Sequence, residues 1–143
     1  MRLVVTRVME AAVSSAGEEI ARIGPGLLVL LGVARGDTSR EAEALASKTA
    51  ELRIFPDGHK PLDRSVLDVG GEVLVVSQFT LLADTSRGRR PSLSDAAPPE
   101  EAEGLYLRFV ECLRARGVVA RTGRFGASMA VSSVNDGPVT LIL

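Results

Sequence analysis

The sequence contains very little of what most catalytic and metal sites are built from. Among its 143 residues there is one cysteine, one histidine and no tryptophan. The single cysteine, Cys112, excludes an intrachain disulfide, and together with His59 it supplies too few ligands for a zinc site of the usual kind. A Ser-His-Asp triad would have to use His59, and neither a G-x-S-x-G elbow nor a G-x-x-x-x-G-K-[ST] phosphate loop occurs. We therefore expect neither a metal ion nor another cofactor.

Long apolar runs and net charge are lacking as well. The longest apolar run covers residues 27–33, which is far too short to span a bilayer, and no signal-peptide pattern follows Met1. We therefore expect a cytoplasmic protein without a membrane partner. The formal net charge of −1 gives no global attraction to nucleic acid, so any contact with RNA must come from a local basic patch.

What the sequence does contain is a pattern of many strands and two helices. Residues 1–143 fit a single domain, since no repeat or boundary interrupts them. Thr38 and Glu41 form a capping-box pattern that begins one helix, and Pro98-Pro99 begins another that ends before Gly117. A polar loop is expected from Pro56-Asp57-Gly58 to Gly70-Gly71. Strands are predicted for residues 2–13, 18–23, 27–33, 72–82, 118–123, 128–134 and 139–143. The order predicts an α+β domain with a mostly antiparallel sheet, partly covered by the two helices.

The strand predicted for residues 72–82 begins apolar and then turns polar. Ser77, Gln78 and Thr80 stand where it leaves the core, so their donors and acceptors can face a cleft. The alternative is an ordinary strand end, in which these polar groups bond to backbone.

A basic cluster follows in a long loop. Arg87, Arg89 and Arg90 surround Gly88, and the loop of residues 83–99 is long enough to need a functional explanation. Guanidinium groups bind phosphates through paired hydrogen bonds, although a solvated charged loop would look the same.

Near the C-terminus a turn signal runs directly into a proline. Asn135-Asp136-Gly137 is typical of a hairpin tip, with Pro138 at the first residue of an edge strand. Alternatively the Gly-Pro pair is itself functional, because cis costs only about 0.5–1 kcal/mol at an X-Pro bond. Such a pair can hold two carbonyls side by side as rigid acceptors. Phe125, between two glycines, is either exposed for stacking or packed in the core.

Together these stretches resemble the D-aminoacyl-tRNA deacylase family. The matching motifs are LLVLLGV at residues 27–33, GGEVLVVSQFTL at 70–81, GRRPS at 88–92, TGRFGASM at 122–129 and NDGPVT at 135–140. Their order and spacing hold from Arg7 to the C-terminus. The resemblance implies a homodimer with a β-barrel-like core. It also implies hydrolysis of the ester that joins a D-amino acid to the terminal adenosine of tRNA, or glycine mischarged on tRNA for alanine.

The resemblance further implies a site shared between two subunits. A cis Gly137-Pro138 pair, held by Arg7, would enter the pocket of the other subunit, orient the substrate amino group and exclude an L side chain. The catalytic wall of that pocket would comprise Ser77, Gln78, Phe79 and Thr80. Phe125 and Gly126 would lie near the terminal adenine, with Met129 beside the Gly-Pro pair. Arg87, Arg89 and Arg90 would contact tRNA phosphates.

The same family mechanism needs no side-chain base. Backbone N–H groups near Phe79 and Thr80 would stabilise the oxyanion, and a ribose hydroxyl of the substrate would help to activate water. Nothing in the sequence supplies a base beside Thr80, so we do not expect its hydroxyl to be a nucleophile. Two other interpretations stay open: a non-catalytic RNA-binding module that uses the arginines, and a small-molecule-binding dimer unrelated to RNA.

Overall fold

Strand β1 (Arg2–Ser15) is the longest strand of the computed structural model, which describes residues 1–143. The other strands are β2 (Glu18–Ile23), β3 (Gly26–Gly32), β4 (Phe55–Asp57), β5 (Lys60–Arg64), β6 (Glu72–Ser77), β7 (Val119–Thr122) and β8 (Ala130–Ile142). The helices are α1 (Ser39–Glu51), α2 (Val66–Val69) and α3 (Pro99–Ala115), with a 3-10 helix at Phe79–Leu82.

Six of the strands form one mixed, nearly closed, barrel-like sheet. Its strand order is β2-β1-β3-β6-β7. In addition, β8 pairs with β1. The predicted antiparallel pairing is confirmed where β1 meets β2, β3 and β8, but β3–β6 and β6–β7 are parallel. The parallel part arises because the connections to β6 and β7 pass through helices, and such crossovers join parallel strands. β4 and β5 form a separate hairpin.

The two faces of the sheet bury two different cores. Leu27 on β3 and Val73 on β6 point into a larger cluster shared with α1 and α3. Their neighbours Leu28 and Leu74 point into a smaller cluster whose buried members all lie on strands. Alternating side chains therefore bury both faces of β3, which accounts for the continuous apolar run at residues 27–33.

The two long helices begin where predicted, and a third, short helix was missed. The capping box of α1 is confirmed: the Thr38 backbone N–H donates to Glu41 Oε2 at 2.7 Å. α2 lies in the expected polar loop and has its own capping box, with Ser65 and Asp68 as partners. The expectation of two helices is therefore wrong, because a Ser-x-x-Asp signal was overlooked in the polar loop. None of the helices combines the length and apolar character needed to cross a bilayer.

The hairpin predicted at the C-terminus is also wrong. β8 is one continuous strand, and its two halves both pair antiparallel with β1. Between the pairs Val8↔Asn135 and Thr6↔Thr140, residues 136–139 stand opposite the single residue Arg7. We call residues 136–139 the bulge. The residues of the turn signal therefore form extra, unpaired residues within the strand. A proline is tolerated there because no sheet hydrogen bond needs an N–H at its position.

Candidate active site

A cleft of about 560 Å³ lies at the carboxyl ends of β3 and β6. Five parts of the chain form its walls: the end of β3, the residues after β6, the loop before α3, the start of α3 and the segment between β7 and β8. The cleft brings together six residues singled out from the sequence, namely Ser77, Gln78, Phe79, Phe125, Gly126 and Met129. Eleven of its 17 lining residues are hydrophobic, so it suits a ligand that is largely uncharged.

The wall after β6 consists of Ser77, Gln78 and Phe79, whereas Thr80 does not line the cleft. β6 ends at Ser77, earlier than the strand predicted for residues 72–82, because Gln78 N–H donates to Leu31 O at 2.7 Å and the chain then turns into the 3-10 helix. Phe79 and Thr80 are the first residues of that helix, so their N–H groups have no acceptor within it. Gln78 provides no side-chain cap, and the Phe79 side chain is 58% exposed.

The Thr80 hydroxyl has a single hydrogen-bond partner. The Gln78 side-chain amide donates to Thr80 Oγ1, and no carboxylate, histidine or amine accepts the Thr80 proton. Because the neighbouring group is a donor, nothing adjacent can activate this hydroxyl as a nucleophile.

A buried tyrosine forms the floor of the cleft. Tyr106 is 2% exposed, and its hydroxyl donates to Val75 O at 2.8 Å. Burial raises the pKa of Tyr106 to about 12, so the side chain stays neutral at physiological pH. Its ring packs against Phe125, with the ring centres 5.7 Å apart. Phe125 is therefore half-buried on Tyr106 while still lining the cleft, between the two placements that the sequence allowed.

The remaining wall depends on two glycines that permit close contact. A Cβ on Gly123 would lie 2.7 Å from Met129 Sδ, and a Cβ on Gly32 would lie 2.9 Å from Gln78 O. Since such contacts are too short for carbon, glycine at these positions lets Met129 and the residues after β6 pack closely.

A second predicted group lies outside the cleft. Arg7, Gly137 and Pro138 are gathered where β1 faces the bulge, and none of the three lines the cleft of its own chain. Arg7 is 7% exposed, and its Nη1 donates to Ile54 O at 2.6 Å. Gly137 and Pro138 are exposed, and the peptide bond between them is cis.

Comparison with known proteins decides the family. The profile of the family described as D-Tyr-tRNA(Tyr) deacylase matches residues 4–143. The chain belongs to this family. A D-aminoacyl-tRNA deacylase of Roseiflexus sp. (strain RS-1) is 59% identical over 143 residues, covering all of this chain and 92% of the relative. A D-aminoacyl-tRNA deacylase of Dinoroseobacter shibae is 59% identical over 141 residues, covering 99% and 97%. The family prediction, and with it an aminoacyl-tRNA-editing hydrolase, is confirmed at the level of the family.

Two solved structures have the same fold. The structure titled c-Myc DNA Unwinding Element Binding Protein is 44% identical, with a TM-score of 0.93, and the match covers 100% of this chain and 97% of that one. A probable eukaryotic D-amino acid tRNA deacylase is 17% identical with a TM-score of 0.85, covering 99% and 97%, which shows the fold alone. Both matches extend over essentially the whole deacylase chain.

The arginine loop of this deacylase-family chain leads directly to the cleft. Asp84 and Ser92 close the loop by two backbone hydrogen bonds of 2.9 Å. Arg87, Arg89 and Arg90 lie between them, exposed and without an ion pair or hydrogen bond. Further along the same loop, Leu93, Ala96 and Ala97 line the cleft. A polyanion bound to the arginines would therefore lie next to the cleft opening.

Sequence reasoning missed three residues of these two regions. Tyr106 was given no functional role, and its hydroxyl was the overlooked signal. Gly32 was included only as part of the strand predicted for residues 27–33. Asp136 was interpreted only as part of a turn signal, whereas its Oδ2 lies 2.9 Å from Arg7 Nε. His59 is exposed at the β4–β5 turn, and Cys112 is buried in α3.

Proposed function

We propose that this protein hydrolyses the ester bond of D-aminoacyl-tRNA and so removes D-amino acids before they reach translation. The observation that carries the proposal is the cleft itself, whose lining includes Phe79, at the start of a 3-10 helix with unbonded N–H groups, and an aromatic platform at Phe125. Its relatives named D-aminoacyl-tRNA deacylase match over the whole chain, which supports the same substrate class here. Because aminoacyl-tRNA is used in the cytoplasm, we propose that location as well.

The chemistry we propose rests on position rather than on a side-chain nucleophile. With the ester carbonyl against Phe79 and Thr80, their N–H groups would stabilise the tetrahedral oxyanion, each donor contributing on the order of 100-fold. A ribose hydroxyl beside the ester would help to activate the attacking water. The unactivated Thr80 hydroxyl supports this choice.

The terminal adenosine would bind at the aromatic end of the cleft. Phe125 offers a ring face that Tyr106 supports from below, and Gly126 beside it adds no side-chain bulk. Stacking of a base on such a ring contributes about 1–3 kcal/mol. The exposed Arg87, Arg89 and Arg90 would then hold phosphates of the tRNA acceptor end.

Chiral selection would require a second copy of the chain. Gly137 and Pro138 are exposed and do not line their own cleft, so they are free to enter the cleft of another subunit in a homodimer. Their carbonyls would accept hydrogen bonds from the substrate ammonium group, and an L side chain would collide with them. Exclusion of this kind rejects the wrong enantiomer by repulsion. Glycine has no side chain to collide, so glycyl-tRNA(Ala) would also be cleaved.

The deciding experiment compares D-Tyr-tRNA(Tyr), L-Tyr-tRNA(Tyr) and glycyl-tRNA(Ala) under the same conditions. We expect the D-substrate to be hydrolysed at least about a hundredfold faster than the L-substrate, with glycine cleaved as well. Equal hydrolysis of D and L, or hydrolysis of neither, would contradict the proposal. Binding of tRNA without turnover, indifferent to chirality, would instead indicate an RNA-binding module. An activity independent of RNA and of the arginines would indicate a small-molecule-binding dimer.

A further inference from the structure

Arg7 is a buried charge that needs a fixed counter-charge. Its side chain lies beneath the sheet surface, where an unpaired guanidinium is strongly unfavourable. The only carboxylate paired with it is Asp136, whose Oδ2 lies 2.9 Å from Arg7 Nε. The N–H bond does not point at that oxygen, so the contact is an ion pair rather than a hydrogen bond.

The nitrogens of the Arg7 guanidinium face two parts of the chain. Nη1 donates to Ile54 O at 2.6 Å and lies 3.5 Å from Pro61 O on β5. Nη2 lies 3.2 Å from where a Cβ on Gly137 would be, and Nε faces Asp136. The Nη1 contacts hold one edge of the planar group in place. We therefore infer that the ion pair at Nε sets the distance between the opposite edge and the bulge.

Apart from Val139, which packs against the larger core cluster, the bulge has few other restraints of its own. The ladder pairs on either side stop at Asn135 and resume at Thr140, so four residues face one and lack regular sheet pairing. Asp136 is the first of these four residues and the only one with a charged side chain. An ion pair from this residue to a buried arginine therefore ties the bulge to β1 at the position next to Gly137.

We propose that Asp136 is a positioning residue that holds the Gly137-Pro138 segment through Arg7, and thereby sharpens discrimination between D- and L-substrates. This inference rests on the proposed function for its selectivity readout. Asp136 does not touch the substrate; its effect passes through the guanidinium. Its side chain is 44% exposed, so replacing it creates no cavity, and the main structural cost is that Arg7 loses its counter-charge.

The test compares Asp136→Asn with the parent, using D- and L-Tyr-tRNA(Tyr). Loss of the charge at nearly constant shape is expected to lower the D-to-L rate ratio about tenfold, because a small displacement of a positioning group has large effects on rate. Asp136→Glu, which keeps the charge, is expected to retain most of the ratio. Asp57→Asn is the matched control, since Asp57 is exposed and makes no ion pair, and it should leave the ratio unchanged.

A second readout does not depend on activity. Hydrogen–deuterium exchange of a peptide spanning residues 134–140 should become faster in Asp136→Asn and stay at the parental rate in Asp57→Asn. Unchanged exchange in Asp136→Asn, or equal losses on D- and L-substrates, would overturn the proposal. If the parent protein cleaves neither substrate, the proposed function fails, and the exchange experiment still decides whether Asp136 holds the bulge.

Discussion

The cleft and the bulge each lie over one buried polar side chain, and the two side chains are stabilised in opposite ways. Tyr106 beneath the cleft stays neutral and donates to a backbone carbonyl. Arg7 beneath the bulge is charged and is paired with the half-exposed Asp136. A buried neutral tyrosine needs one hydrogen-bond partner for its hydroxyl. A buried guanidinium needs a counter-charge and several hydrogen-bond acceptors at the same time.

This difference is consistent with the division of tasks that we propose for the two regions. The cleft offers backbone N–H groups and apolar surface, which suit an uncharged ester and a base. The bulge offers exposed backbone carbonyls, and the ion pair between Arg7 and Asp136 lies beneath them. Carbonyls held in this way suit a substrate ammonium group. In one chain the two regions lie apart, so the comparison can be tested by damaging each region separately.

The largest expected effect comes from removing a backbone donor in the cleft. Phe79→Pro deletes the N–H at the first position of the 3-10 helix, where a proline ring is tolerated. Relative to Phe79→Ala, which loses the same ring but keeps the N–H, kcat should fall about 100- to 1,000-fold. Single-turnover hydrolysis of D-Tyr-tRNA(Tyr) measures the ratio. Similar rates for the two variants would argue against an oxyanion role for this N–H.

The next largest effect is expected at the bulge. Gly137 has φ +117°, and a Cβ there would lie 2.8 Å from Val139 Cγ2 and 3.2 Å from Arg7 Nη2. Gly137→Ala must therefore shift the bulge, and we expect about a hundredfold loss of D-specific hydrolysis. Gly104→Ala is the control, because a Cβ there meets nothing within 4 Å, and in helix α3 it should raise stability by about 0.5–1 kcal/mol.

Subunit mixing shows whether the bulge acts in the other subunit. Ala127→Trp should block the cleft but leave the bulge intact, since Ala127 lines the cleft. If the bulge of one subunit serves the cleft of the other, re-associated Gly137→Ala and Ala127→Trp subunits contain one intact site per mixed dimer. Activity should then recover to roughly a quarter of the parental value. No recovery, with mixed dimers verified by mass spectrometry, would place the bulge's action within its own chain.

A smaller effect is expected at the arginine loop, which belongs to neither region. Neutralising Arg87, Arg89 and Arg90 to Gln should raise KM about tenfold, leave kcat close to the parental value, and flatten the dependence of KM on salt. Arg40→Gln with Lys48→Gln is a matched control on α1, where both side chains are exposed. An unchanged KM in the loop variant would contradict a role in tRNA binding.

The cleft was more accessible to sequence reasoning than the bulge. Ser77, Gln78 and Phe79 stand where one strand changes from apolar to polar, and that local pattern is enough to place them at an edge of the core. The exit of the chain into a 3-10 helix was missed because it depends on Gln78 N–H bonding to Leu31 O, a partner 47 positions away.

The bulge could not be predicted from local pattern because its shape depends on pairing with β1. Asn135-Asp136-Gly137 is a sound hairpin signal, and tertiary pairing of both halves of β8 with one strand overrode it. The resemblance linked Arg7 with the Gly-Pro pair, but the ion pair to Asp136 requires two residues 129 positions apart to meet. The hydroxyl of Tyr106 was hidden in the same way, since only the fold reveals that it reaches Val75 O.

The smallest expected effect tests the neutral burial of Tyr106. Tyr106→Phe removes the hydrogen bond to Val75 O, but that carbonyl also accepts from Gly123 N–H, so the free energy of unfolding at pH 8 should fall by only about 1 kcal/mol.

In the parent, the pKa of Tyr106 is raised to about 12 by burial, above the value near 10 of an unfolded tyrosine. The resulting stability is fully present below pH 10 and is lost as the pH rises through 12, by about 3 kcal/mol in all. The phenylalanine variant lacks this loss, so the two stability curves from urea unfolding should cross between about pH 10 and 11. A constant difference between the curves up to pH 11.5 would mean that the hydroxyl ionises as freely in the folded protein as in the unfolded chain, and that the floor of the cleft is not the neutral, dry surface that sets it apart from the bulge.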